Sequence, residues 1–394
     1  MKHIRYFFWE APPHFYTLML GVFMQLIGSG EGYRFAFHLN LLIVIAYFLF
    51  AYRKLSKEPA VIVIACLPVI YIVLNTLSGS DLVYSGEIRT LIFSSTLAIS
   101  IWIIDQKDPD YLGKIALMAT TITIIGYTTT QTIAIFAFKQ PFGTLTNPHY
   151  LSLGSSIAFI ITTGLYLKSV SLWKYALIPA LGLLGFFIIH SSSRPIWFGL
   201  LCSSILLVVF IDKRFRISSL AITTATITIL LTGNIGGVLD RTKSLITQIK
   251  EEERVTLWKD TWAMQKESSY KEWFVGHGLK SFEDDFKDYS TYHTKGTDLN
   301  SPHNYILEAL YLSGLAGLIL LIIVITKIYI KIFQGLKDND KRRSVYLLLL
   351  CLITANTMAA SITVPLFSRY NLTCAAIVVG SLLVLDQKRL REST

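Results

Sequence analysis

The feature that most limits what this chain can fold into is a set of long runs without a single charge. Residues 41–50, 60–77, 217–231 and 315–325 are the clearest. A water-soluble core does not need so many apolar runs of this kind, whereas each helix crossing a bilayer needs about 20 predominantly apolar residues. The runs are continuously apolar, not alternating, which argues against the strands of a membrane barrel. Charged residues make up only 16% of the 394, against roughly 25% in ordinary soluble domains.

Twelve spans are expected, at about 13–30, 35–52, 59–78, 89–104, 113–138, 150–167, 174–190, 195–212, 217–235, 304–333, 345–364 and 370–385. Pro12, Pro13, Gly21 and Gly28 interrupt the first. The fifth is rich in Thr, whose hydroxyl can bond back to the helix backbone. The fold class is therefore an all-α polytopic membrane protein. Its expected organisation is nine helices over 1–235, a loop over 236–303, and three helices with a tail over 304–394.

A net charge of +10 invites a nucleic-acid partner, but its distribution does not. With the N-terminus placed in the cytoplasm, 21 of the 36 Lys and Arg fall in cytoplasmic segments, 5 in short outer loops and 10 in the long outer loop. That asymmetry is the positive-inside signature, strongest at Lys337, Lys341, Arg342 and Arg343. The basic excess sets topology; the expected partner is a lipid bilayer and not a nucleic acid. Both termini are expected inside. The start, with its charges and aromatics, carries no signal-peptide cleavage pattern. Cys66, Cys202, Cys351 and Cys374 all fall within expected spans and lack paired spacing, so packing roles are expected of them.

The 68-residue loop 236–303 holds most of the hydrophilic residues. Arg254, Trp258 and Thr261 recur at helical spacing. Gly276 and Gly278 flank His277 and mark a turn. Residues 281–290 read as a short amphipathic helix with Phe282, Phe286 and Tyr289 on one face. The loop is too short for a robust core of its own and is expected to roof a cavity on the outer membrane face.

Ionisable groups at span ends are costly and raise functional hypotheses. Arg194, in Ser191-Ser192-Ser193-Arg194-Pro195, is the sole charge between the seventh and eighth spans. It reads as an anion clamp at a helix N-terminus opened by Pro195, with snorkelling to headgroups as the plainer role. Arg254 follows three glutamates and reads either as a member of local ion pairs or as a second anion ligand. Arg241 and Lys243 stand near the exit of the ninth span, where a solvated role is plainer. His303 and Asn304 lie where the loop re-enters the bilayer, and a His there can accept a proton near neutral pH. His149, His277 and His293 are weaker candidates. Asp284 and Asp285 read as a solvated face. There is no Walker loop and no His-Glu-x-x-His pattern, and no metal or other cofactor is called for, since two arginines can neutralise a diphosphate.

The order Ser193-Arg194, Arg254 with Leu257-Trp258, Gly276-His277-Gly278, then His303-Asn304-Tyr305-Ile306-Leu307-Glu308 before a Gly-containing span resembles the O-antigen ligase and polymerase superfamily. The stretch from Gly143 to His149 is also similar, although His149 replaces the small polar residue common there. The resemblance implies glycan transfer from undecaprenyl diphosphate at the periplasmic face of the bacterial inner membrane, metal-independent and inverting. It implies Arg194, Arg254 and His303 as catalytic residues. Arg194, Arg254, Ser193, Asn304, Arg241 and His277 become candidate substrate contacts. The expected reading is a ligase with a lipid A-core acceptor, partly because the chain ends soon after the last span. A polymerase joining lipid-linked repeats is the alternative. From another class, a lipid-glycan transporter shares the span count, but repeated motifs and mid-span charges are not seen in the sequence. A membrane scaffold fits the outward Arg and His placement least.

Overall fold

A computed structural model describes the chain apart from residues 1–12, 29, 56–58, 80–85, 108, 146, 169–172, 212–215, 218–252, 280, 290–298, 300, 338–341 and 394. The expected span at 217–235, and Arg241, Lys243 and His293, thus lie outside the described residues or nearly so. The described part is helical, with no strand. In chain order the helices are α1 (Pro13–Leu26), α2 (Gly30–Leu55), α3 (Pro59–Ser78), α4 (Gly86–Lys107), α5 (Pro109–Thr132), α6 (Pro148–Lys168) and α7 (Trp173–His190). They continue with α8 (Arg194–Phe210), α9 (Glu253–Glu267), α10 (Tyr270–Val275), α11 (Ser281–Tyr289), α12 (Tyr305–Lys337), α13 (Arg343–Ala360) and α14 (Arg369–Ser393). Five of these, α3, α4, α12, α13 and α14, contain stretches long and apolar enough to cross a membrane. The protein is an all-α membrane protein.

Several element ends depart from the expected bounds. The fifth expected span gives way at Ile133 to a π-helical turn, Ile133–Ala137. The span expected to reach 364 ends as helix at Ala360 and is followed by turns through 361–367. The tenth is not continuous: Gly314 adopts φ 64° and ψ −168° inside it. The reason is local packing. Gly314 is pressed against the Phe274 carbonyl and the Gly276 backbone, leaving no room for a Cβ, and its backbone sits where only glycine is unstrained.

The chain divides into two compact units. The first comprises 1–67, 91–191 and 372–394. Its centre is the apolar cluster of Phe37, Val61, Phe93, Leu97 and Trp102. Without water, polar groups in such a bundle must find partners among themselves. Asn40 Oδ1 accepts from Ser100 Oγ at 3.0 Å and Thr17 Oγ1 at 3.5 Å, and Thr373 Oγ1 donates to Gln25 Oε1 at 2.7 Å. The loop ahead of α6 is pinned by Gln131, which donates to Thr144 Oγ1 at 2.8 Å and accepts the Thr144 N–H at 2.9 Å. Asn147 Oδ1 accepts the His149 N–H at 2.8 Å, so that asparagine shapes the turn that opens α6.

The second unit comprises 68–90 and 192–371. Helices α8 and α13 pack along their lengths. Gly199 meets the Ala355 backbone with no space for a side chain, and one turn on, Ser203 Oγ donates to the Cys351 carbonyl at 3.0 Å. A small residue and a hydroxyl at a helix interface are how membrane helices approach closely. Helices α9 to α11 pack over the start of α12.

Candidate functional site

The second unit contains the described candidate residues other than His149, which lies in the first. Arg194 opens α8, with Pro195 in the first turn. Helix α8 begins one residue earlier than the sequence suggests, after Ser193, which is buried and whose side chain does not cap the helix. The pairing of Gly199 with Ala355 and Ser203 with Cys351 makes α8 and α13 antiparallel. Continued one turn further, this register brings the start of α8 beside the end of α13, immediately before the 361–368 turns.

Arg254 reaches those same turns. On the first turn of α9, its Nη2 donates to Thr363 Oγ1 at 3.2 Å. Trp258, one turn along α9, donates from Nε1 to the Pro302 carbonyl at 3.0 Å. That bond fixes the residue before His303 to the helix that carries Arg254. His303 follows with φ 52°, a left-handed conformation uncommon for any residue with a Cβ. Its N–H donates to Ser301 Oγ at 3.0 Å. Its Nδ1 is buried and has no hydrogen-bond partner among the described residues. Burial, and secondarily the positive charge of Arg254, push its pKa down from 6.5 to about 4. The imidazole is therefore neutral at pH 7 and can accept a proton.

Asn304 caps α12: its Oδ1 accepts the N–H groups of Ile306 at 3.0 Å and Leu307 at 3.1 Å, the usual duty of an Asn ahead of a helix. Glu308, 2% exposed, accepts from Ser301 Oγ at 2.8 Å and from the Leu366 N–H at 2.9 Å. The 301–308 segment is thus joined to the same turns that hold Arg254.

His277 belongs to a different set of contacts. It stacks on Tyr311 with ring centroids 4.2 Å apart and planes 5° apart. Its Nε2 lies 2.8 Å from Ser268 Oγ, and its Nδ1 lies 3.9 Å from both Glu272 and Asp285. Burial lowers its pKa while the two carboxylates work against that. Tyr311 donates from its hydroxyl to Asp285 Oδ2 at 2.7 Å. His277 thus helps to dock α9, α10 and α11 onto α12. Asp285, read from sequence as part of a solvated face, has this definite partner.

The structure therefore brings Arg254 and His303 together and sets Arg194 at the helix end bordering their neighbourhood. Three participants escaped sequence reasoning as site residues: Thr363, Ser301 and Glu308. Glu308 carried a signal, an acidic residue one turn inside an apolar span. Thr363 carried none, because it reads as the tail of an apolar helix.

A neutral buried histidine beside an arginine is an arrangement able to accept a proton and to pair with an anion. The family model described as O-antigen ligase matches residues 179–322, a stretch that includes Arg194, Arg254, His303 and Glu308. The match supports placement in the O-antigen ligase superfamily and a function of the O-antigen ligase or polymerase type. No curated protein matches the chain.

Proposed function

We propose that the protein is an O-antigen ligase of the inner membrane. It transfers a glycan from undecaprenyl diphosphate to a sugar hydroxyl of lipid A-core at the periplasmic face. In this reading the chain crosses the membrane twelve times and the segment around α9–α11 is periplasmic. The carrying observation is the buried Nδ1 of neutral His303, without a hydrogen-bond partner among the described residues and within electrostatic reach of Arg254.

The polyprenyl tail lies in lipid and the diphosphate at the outer leaflet. Arg254 and Arg194 pair with the diphosphate oxygens, with the positive end of α8 adding backbone donors. The acceptor oxygen attacks the anomeric carbon and forms the new glycosidic bond. The bond from that carbon to the diphosphate oxygen breaks, and its electron pair leaves with undecaprenyl diphosphate. His303 takes the hydroxyl proton. The arginines stabilise the charge that grows on the leaving group, and single displacement inverts the anomeric centre. Ser193 and Asn304 shape the two helix ends that border the site. Arg241 is a further candidate contact to the donor on sequence grounds alone.

Deleting the gene and resolving the host's lipopolysaccharide on a gel tests this reading. Loss of the whole ladder, with bare lipid A-core and accumulated lipid-linked polymer, supports a ligase. Core bearing a single repeat identifies a polymerase. An unchanged ladder overturns both.

A further inference from the structure

Glu308 is the point where the two halves of the candidate site are joined. Its carboxylate accepts Ser301 Oγ–H at 2.8 Å and the Leu366 N–H at 2.9 Å, and the Phe367 N–H bonds to it as well. Ser301 Oγ in turn accepts the His303 N–H at 3.0 Å. One hydroxyl thus serves as donor to Glu308 and acceptor from His303, as a serine can. His303 needs such restraint, because its left-handed backbone at φ 52° persists only where surrounding contacts impose it. Trp258 restrains the preceding residue from the other side. The Leu366 and Phe367 bonds meanwhile hold the turns that carry Thr363, the partner of Arg254.

A packing residue at this position would not need a carboxyl group. Burying one costs free energy. We propose that Glu308 is a positioning residue of the transfer reaction: it fixes His303 through Ser301 and the Arg254 turn through Leu366 and Phe367. The inference rests on the roles given above to His303 and Arg254.

The test uses the full-length protein in lipid nanodiscs with purified lipid-linked donor and lipid A-core acceptor. Glu308→Leu removes both carboxylate oxygens from a side chain of similar size, so Ser301 Oγ and the Leu366 N–H lose the acceptor they share. Ser301→Ala leaves the carboxylate with its backbone donors and cuts only the link to His303, so it remains informative if the Glu308 variant does not fold. Both variants are expected to lower kcat by about a hundredfold, the scale of an ångström-sized misplacement. In Ser301→Ala donor KM should stay within about twofold, because the link lost leads to His303 and turnover; in the Glu308 variant donor KM is expected to rise as well, since the turn that holds Arg254 loses its anchor. Wild-type kcat in Ser301→Ala, or a loss carried by donor KM in both variants, overturns the proposal. His303→Ala is run alongside. If it is inactive while Ser301→Ala and Glu308→Leu match wild type, only the Glu308 inference falls. If it is fully active, the role of His303 falls and takes this inference with it.

Discussion

The Arg254 guanidinium donates to the Thr363 hydroxyl at 3.2 Å, across 109 residues of sequence. Arg254 sits on α9 and Thr363 just past α13, so the bond ties α9 to the end of a helix outside the residues 179–322 that the family model matches. A guanidinium has five donors; in the proposed reaction others pair with the diphosphate. Arg254→Ala is expected to abolish transfer with normal membrane insertion. Arg254→Lys is expected to lower kcat about a hundredfold, because lysine lacks the bidentate fork. Transfer assays on purified protein decide this, and full activity in the Lys variant removes the clamp.

Arg194 is expected to behave alike. Arg194→Ala should abolish transfer while the protein still reaches the membrane in wild-type amount, as read by fractionation and immunoblot. A variant that keeps wild-type transfer leaves Arg194 as a residue that only snorkels to headgroups.

The histidine predicts a pH profile. With its pKa near 4 in the free protein, His303 stays neutral well below the pH at which an ordinary histidine charges. The acid limb of kcat/KM should therefore lie below 6.5 and be absent in His303→Ala background activity. The limb of kcat should lie higher, because a bound diphosphate offsets the charge of Arg254 and favours the protonated imidazole. The stability sign follows too. The folded pKa is depressed, so the contribution is fully present above about 6.5 and falls as pH drops toward 4, where the unfolded chain has taken up the proton first. Rate measurements and thermal melts across that range test both; an acid limb of kcat/KM at 6.5 or above would refute the buried neutral base.

The His277 stack makes a stability prediction separate from catalysis. Tyr311→Phe keeps the ring on His277 but loses the 2.7 Å bond to Asp285. It should lower stability by about 1–3 kcal/mol, the cost of a hydrogen bond to a charged group, with kcat little changed. A melt in detergent alongside the transfer assay reads both; a large loss of kcat at unchanged stability would move this cluster into the reaction.

Gly314 gives the sharpest backbone test. At φ 64° and with Phe274 and Gly276 against it, Gly314→Ala should cost on the order of 1–3 kcal/mol in strain alone. The loss should appear as loosened α10, seen as faster hydrogen exchange over 270–278. Unchanged exchange there would mean the kink is not what docks the loop.

Much of this protein is written locally. Charge-free runs compel membrane helices, because a backbone in lipid must bond within its own segment. Ser193-Arg194-Pro195 spells a helix start, and Asn304 spells another through its side-chain acceptor. The residue types suited to a diphosphate and a proton could be named from sequence because guanidinium and imidazole chemistry does not depend on the fold. Other facts depended on which segments meet. Thr363 reads as apolar helix until the end of α13 at Ala360 releases it to face Arg254. The stacking of His277 on Tyr311 could not be read from the sequence, because 34 residues separate the two rings. Glu308 reads as a stray charge until donors from Ser301 and Leu366 arrive from opposite sides in sequence. Sequence patterns carry interactions among neighbours a turn apart. Bonds between groups tens of residues apart exist only once packing has excluded water and left those groups no other partner.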